Sequence, residues 1–298
     1  MVAPPFRYQP AGSFEEAVAV LAEHGEDAKL LAGGQSLVPM LNLRVARPEW
    51  LIDLNPVGAG PVSEVDGVLH LPALTRHRVL ESGELVRRRC PILAEAASRI
   101  GNVRTRARGT IGGSLAHADP ASELPLVAVA LGAEVTALGP EGSRDLSVGE
   151  LLISYLTTAL GPGEVITEVR VPALRPRQGW SFLELTRRTS DWMVIGVASL
   201  VELDRRGAVT AVSFTLGGVA ERPVVASAEL LAGLLGEAPA EPLLTHVAEQ
   251  MAATLHPEDD VHASGAYRRR VAAVLTRRAL TEAAARARDA GTEGEGRR

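Results

Sequence analysis

The chain has 298 residues, a formal net charge of −5, one cysteine and no long basic block. That length accommodates two domains, each with its own core, and the modest negative charge argues against a nucleic-acid-binding protein. Cys90 alone can form no internal disulfide and cannot supply the four thiolates of an iron–sulfur cluster, so any such cluster must come from a partner.

No apolar run approaches a membrane span, since 124–131 is too short and contains a proline, and the first residues lack the apolar segment of a signal peptide. The chain therefore reads as soluble and cytoplasmic. Ser13-Phe14-Glu15-Glu16 fits a helix-capping box, after which Phe14, Ala17, Val18 and Leu21 share one helical face that Gly25 can end. Leu30, Leu31 and Ala32 form an apolar run suited to a buried strand. Gly33 and Gly34 stop it, because paired glycines accept positive φ and let consecutive N–H groups approach a phosphate. An ordinary tight turn is the competing reading of the same pair. Gln35, Ser36 and Leu37 follow, with Pro39 placed for the first turn of a short helix. Residues 50–54 read as a strand stopped by Asn55-Pro56, which closes a compact α/β unit over about 1–56.

Residues 62–74 read as short strands joined by turns, and Pro91 can start a helix with Ile92, Ala96, Ala97 and Ile100 on one face. Arg104, Arg106 and Arg108 alternate, which on an extended chain places them on one side, either to attract phosphate or as a solvated basic strand. Thr110-Ile111-Gly112-Gly113-Ser114 reads as a second glycine loop, and two such loops can hold one extended diphosphate. Neither segment has the Rossmann or P-loop spacing.

His117 lacks the companions of a metal ligand, Asp119 before Pro120 can organise a turn, and Glu123 can either meet a ribose hydroxyl or be a surface carboxylate. Strands at 134–138 and 164–171, the latter containing Ile166, close this domain. The proline- and glycine-bearing stretch 173–179 is its linker. Beyond it, three strands at 180–185, 194–203 and 209–216, a hairpin turn at 204–207 and helices near 227–235, 242–255 and 267–287 predict an α+β domain over 178–287. Residues 288–298 are polar and read as a disordered tail. No nucleophile–base pair or paired carboxylates stand out, so a bound cofactor would have to bring the reactivity.

Three segments together carry a resemblance: Leu31-Ala32-Gly33-Gly34-Gln35-Ser36-Leu37, Thr110-Ile111-Gly112-Gly113-Ser114-Leu115-Ala116-His117-Ala118-Asp119-Pro120 and Ser264-Gly265-Ala266-Tyr267-Arg268-Arg269. They resemble the FAD-binding medium subunit of molybdenum hydroxylases, the carbon monoxide dehydrogenase and xanthine dehydrogenase family. The resemblance implies an α+β chain: a two-subdomain p-cresol methylhydroxylase-type FAD-binding domain over 1–175, divided near 56, then a smaller domain with a three-stranded antiparallel sheet and helices. It implies FAD held by 30–37 and 110–114, with Asp119 nearby, Glu123 near the ribose, Ile166 lining the flavin or adenine, and Trp192 beside the isoalloxazine ring. The molybdenum cofactor and two two-iron two-sulfur clusters would lie on a large and a small partner subunit, in a dimer of heterotrimers. This chain would then relay electrons from the iron–sulfur subunit to an external acceptor. Two positions depart from the family pattern: Ala107 stands where relatives commonly have Asn, and Glu184 where they often carry Lys. A self-contained FAD oxidase or dehydrogenase and a non-catalytic nucleotide-binding module are the alternative readings.

Overall fold

The computed structural model describes residues 3–295. Strands β1 (Arg7–Pro10), β2 (Ala28–Leu31) and β3 (Trp50–Asp53) form a parallel sheet in the order β1-β3-β2. Helix α1 (Phe14–His24) connects β1 to β2. Its cap follows the sequence signature with one change: Ser13 accepts from the Glu16 N–H at 3.1 Å, but the Glu16 carboxylate bonds the N–H of Gly12 rather than that of Ser13. Gly25 ends the helix at φ 54°. After β2 the chain turns at the first glycine pair into the short helix α2 (Leu37–Asn42).

The second subdomain is built on a five-stranded antiparallel sheet. Its strands are β4 (Ser63–Val65), β5 (Val68–Pro72), β6 (Glu134–Gly139), β7 (Gly142–Ser147) and, after a small hairpin of β8 (Leu152–Ser154) and β9 (Thr157–Thr158), β10 (Val165–Pro172), in the order β4-β5-β10-β6-β7. Between β5 and β6 run α3 (His77–Ser82), α4 (Glu84–Arg89), α5 (Pro91–Arg99), α6 (Val103–Arg108), α7 (Ile111–His117) and α8 (Glu123–Ala130), while α9 (Val148–Leu151) follows β7.

Two sequence expectations change here. Arg104, Arg106 and Arg108 do not alternate along an extended chain, because Asn102 accepts from the N–H groups of Arg104 and Thr105 and caps them into α6. Arg106 instead turns inward to pair with Glu81 at 2.8 Å, leaving Arg104 and Arg108 exposed. The second glycine segment is likewise not a loop: Thr110 is the N-cap and Ile111 to Ser114 are the first turn of α7.

The C-terminal sheet has three long antiparallel strands, β11 (Gln178–Thr186), β12 (Met193–Leu203) and β13 (Val209–Gly217), to which the two-residue β14 (Val224–Val225) adds a fourth. Helices α10 (Ala228–Ala232), α11 (Glu241–Thr254) and α12 (Gly265–Glu295) follow. Strand β12 is buried on both faces. Ile195, Val197 and Val201 join the core formed with α11 and α12, whereas Met193, Ala198 and Leu200 join the core shared with α5 and α8. A two-sided strand needs no polar face, which is why its sequence is almost uninterrupted in apolar residues. Gly179 lets α12 close on β11, since a Cβ there would lie 1.9 Å from the Ala283 carbonyl oxygen. The tail read as disordered over 288–298 is helical through Glu295, because α12 simply continues, each added residue gaining a backbone hydrogen bond on a helix already nucleated. Residues 296–298 lie outside the described residues.

Candidate functional site

The two glycine segments meet. A Cβ on Gly33 would fall 2.3 Å from the Arg108 carbonyl oxygen and 2.7 Å from the Gly109 Cα, so only glycine permits this backbone-on-backbone contact. The reason for glycine differs between the paired positions: Gly34 has φ 73°, while Gly33 is required by proximity. The N–H groups of Gly33, Gly34, Gln35, Ser36 and Leu37 meet no acceptor among the described residues, and Gln35 uses its side-chain amide to bond the Gly33 carbonyl at 3.1 Å. Five successive unpaired donors around a glycine pair form a cradle that suits a diphosphate, whose oxygens are anionic acceptors.

The second segment is arranged differently. Four of its five donors are taken: Ile111 N–H bonds Thr75 O at 3.0 Å, Gly112 N–H bonds Ala73 O at 2.9 Å, Gly113 N–H bonds the Thr110 hydroxyl at 3.2 Å and Ser114 N–H bonds Thr110 O at 3.0 Å. A Cβ on Gly112 would lie 2.7 Å from that of Ala73. This segment is therefore a rigid wall resting on residues 73–77, and the expectation of two like loops, each offering free N–H groups, does not hold. His77 sits beneath it, with its N–H bonded to Gly109 O at 2.9 Å and its Nε2 3.0 Å from both Thr110 O and Ser114 Oγ. Burial pushes the His77 imidazole down to about 4, partly opposed by the Thr110 carbonyl, so at neutral pH it is uncharged and acts as a packed prop.

A polar chain that sequence reasoning missed ties the segments together. Tyr8 Oη donates to Asp53 at 2.5 Å, Asp53 accepts from the Asn55 N–H at 3.0 Å and from its side-chain amide, and the same amide donates to Ala32 O at 3.0 Å. Arg76 then donates to Asn55 Oδ1 at 2.6 Å and to Arg108 O at 2.5 Å. Burial alone would raise the Asp53 carboxyl, but hydrogen bonds from Tyr8 and Asn55 and the nearby Arg108 charge hold it below the usual carboxylate range. In the sequence Asn55-Pro56 looks like a strand stop and Thr75-Arg76-His77 like a strand-to-helix passage. No local pattern marks contacts that span 21 to 32 residues.

Of the remaining candidates, Leu30 and Leu31 end β2, Asp119 accepts from Ala121 N–H at 2.8 Å in a turn, and Ile166 is buried in the core of β10. Glu123 opens α8 and is only 7 % exposed. Burial pushes it up to about 8, with the Glu184 and Asp119 charges adding to the effect. Glu184, across the domain boundary on β11, is raised to about 7, again chiefly by burial, with Arg99 opposing and Glu95 reinforcing the shift. Trp192 lies in the β11–β12 hairpin, 67 % exposed, and Ala107 is exposed on α6.

The sequence and the fold both match known proteins along nearly their full length. The FAD binding domain in molybdopterin dehydrogenase matches residues 4–174, and the CO dehydrogenase flavoprotein C-terminal domain matches residues 180–283. The chain belongs to the FAD-binding medium subunits of the molybdenum hydroxylases. Its relatives include the 6-hydroxypseudooxynicotine dehydrogenase complex subunit alpha of Paenarthrobacter nicotinovorans, 41 % identical with 97 % of each chain covered. The carbon monoxide dehydrogenase medium chain of Hydrogenophaga pseudoflava is 36 % identical, covering 96 % of this chain and 99 % of that one.

Among solved structures, carbon monoxide dehydrogenase from the same organism superposes with a TM-score of 0.92 at 37 % identity, over 96 % of this chain and 99 % of that one. Quinoline 2-oxidoreductase from Pseudomonas putida 86 gives 0.92 at 32 % identity with the same coverage. This medium subunit is an oxidoreductase component and FAD is its cofactor. Among its described residues no cluster of His, Cys, Asp or Glu suits a metal ion and no helix is long and apolar enough to cross a membrane.

Proposed function

We propose that this medium subunit is the electron-transfer flavoprotein of a molybdenum hydroxylase complex, accepting electrons from an iron–sulfur subunit and passing them to an external acceptor. The observation that carries the reading is the row of unpaired N–H groups from Gly33 to Leu37, beside the wall of α7 in a chain built from the two medium-subunit domains. In this reading residues 30–37 cradle the FAD diphosphate and 110–114 shape its other side. Asp119 is a further cofactor-binding residue, Glu123 lies near the ribose, Ile166 lines the flavin or adenine, and exposed Trp192 lies beside the isoalloxazine ring. FAD bound there supplies the two-electron redox chemistry. The single buried thiol, Cys90, cannot ligate an iron–sulfur cluster, which supports placing the clusters and the molybdenum cofactor on small and large partner subunits. The complex is proposed to be a cytoplasmic dimer of heterotrimers.

The test is gentle purification of the tagged chain from its native cell, with determination of FAD, iron, molybdenum and the masses of co-purifying chains. One FAD per copy of this chain, with iron and molybdenum on two others, is the expected result. FAD on a lone chain that turns over a small substrate by itself would replace the proposal with a self-contained flavoenzyme. A chain that holds a nucleotide but undergoes no reversible reduction would replace it with a non-catalytic binding module.

A further inference from the structure

The cradle and the wall come from different subdomains, so something must set the gap between them. Direct contact of Gly33 with Arg108 and Gly109 limits approach but does not prevent separation. The apolar core that Leu74 and Val165 share with α1 joins the subdomains behind this corner, and at the corner itself two side chains oppose separation. Asn55, fixed by Asp53, holds the cradle side through Ala32 O, and Arg76 holds the wall side through Arg108 O, while Asn55 Oδ1 accepts from Arg76 and joins the halves. We propose that Asn55 and Arg76 form one clamp that sets the spacing of the two glycine segments, which makes both of them positioning residues for the FAD diphosphate. The inference rests on the FAD cradle described above.

The chemistry of the two side chains fits a bridge better than direct charge contact with the ligand. Arg76 has a planar fork that donates in two directions at once, and both directions are occupied by protein acceptors. Asn55 is both donor and acceptor, so replacing either residue leaves the other with an unmet group and opens the link. The exposed Arg108 guanidinium, by contrast, has no hydrogen-bond partner among the described residues and is the free cation of this corner. Arg76 shapes the site while Arg108 supplies its charge.

The experiment compares the full chain with Asn55→Ala, Arg76→Lys and the double variant, titrating each apoprotein with FAD by flavin fluorescence and recording visible circular dichroism at saturation. Lysine keeps the charge but cannot span both acceptors. Each single variant is expected to weaken FAD binding about tenfold, equivalent to ~1.4 kcal/mol, and the double variant no more than about tenfold, because both changes break one link. The visible dichroism of bound FAD should change in both single variants, a local readout that a general loss of stability would not move. Wild-type affinity in both singles, or a double variant whose loss is the product of the two, overturns the clamp. An unaltered flavin dichroism in the single variants overturns it as well. Should Asn55→Ala not fold, Asn55→Ser with Arg76→Lys completes the same cycle. A wild-type chain that binds no FAD would instead overturn the cofactor reading, and the clamp's role with it.

Discussion

Gly33→Ala is the sharpest perturbation of the cradle, because one methyl group meets rigid backbone. The new Cβ would stand 2.3 Å from Arg108 O, 2.7 Å from Gly109 Cα and 2.9 Å from Arg108 C. Ordinary contact requires the two segments to part by about 1 Å. No flexible side chain can absorb that, since all three atoms are main chain and the wall behind them is pinned by Ile111, Gly112 and His77. Overpacking of this kind costs about 1–3 kcal/mol, and for a chain of this size each kcal/mol lowers the melting midpoint by roughly 2–4 °C. The expected result is a lower apoprotein midpoint together with FAD lost on gel filtration, read from the flavin-to-protein absorbance ratio. Gly112→Val should do the same by striking Ala73. A Gly33→Ala chain with the wild-type midpoint and a full complement of FAD would refute the reasoning, because it would mean that the two segments are free to part.

Other outcomes follow from burial. Glu123 has its folded-state value raised from 4.5 to about 8, so its contribution favours the folded state below 4.5 and is lost as the pH rises through about 8. Glu184, raised to about 7, acts in the same direction. Apoprotein melting midpoints should therefore fall as pH is raised from 5 to 9 in this window, and Glu123→Gln should flatten that slope; an unchanged slope would contradict the assignment. Gly179→Ala should wedge α12 from β11, and a wild-type denaturant midpoint would rule out the tight contact with Ala283. Cys90 is fully buried and its thiol is pushed up to about 12 by burial, so it should resist a thiol reagent at pH 8 in the native chain and react once guanidinium unfolds it. Reaction at the native stage would mean that the α5 region opens.

Much of the molecule follows from local pattern. Ser13 and Gly25 bound α1, Pro39 lies in the first turn of α2, and alternating or continuous apolar runs mark β10 to β13, because caps, φ restrictions and periodicity act over only a few residues. Local pattern also marked the two glycine segments, and their motifs carried the family and the cofactor. It misassigned the arginines of α6, where Asn102 capping prevailed over the look of an alternating strand, and it treated the second glycine segment as a loop when Thr110 caps a helix there. Tertiary structure alone decided which segment keeps its donors free, since the acceptors that occupy Ile111 and Gly112 lie on residues 73–75, far back in the chain. The meeting of Glu123 with Glu184 likewise depends on packing α8 against the second sheet. The Asn55–Arg76 link was invisible for the same reason: a side-chain hydrogen bond between subdomains leaves no periodicity in the sequence, and only folding brings its two ends within 2.6 Å.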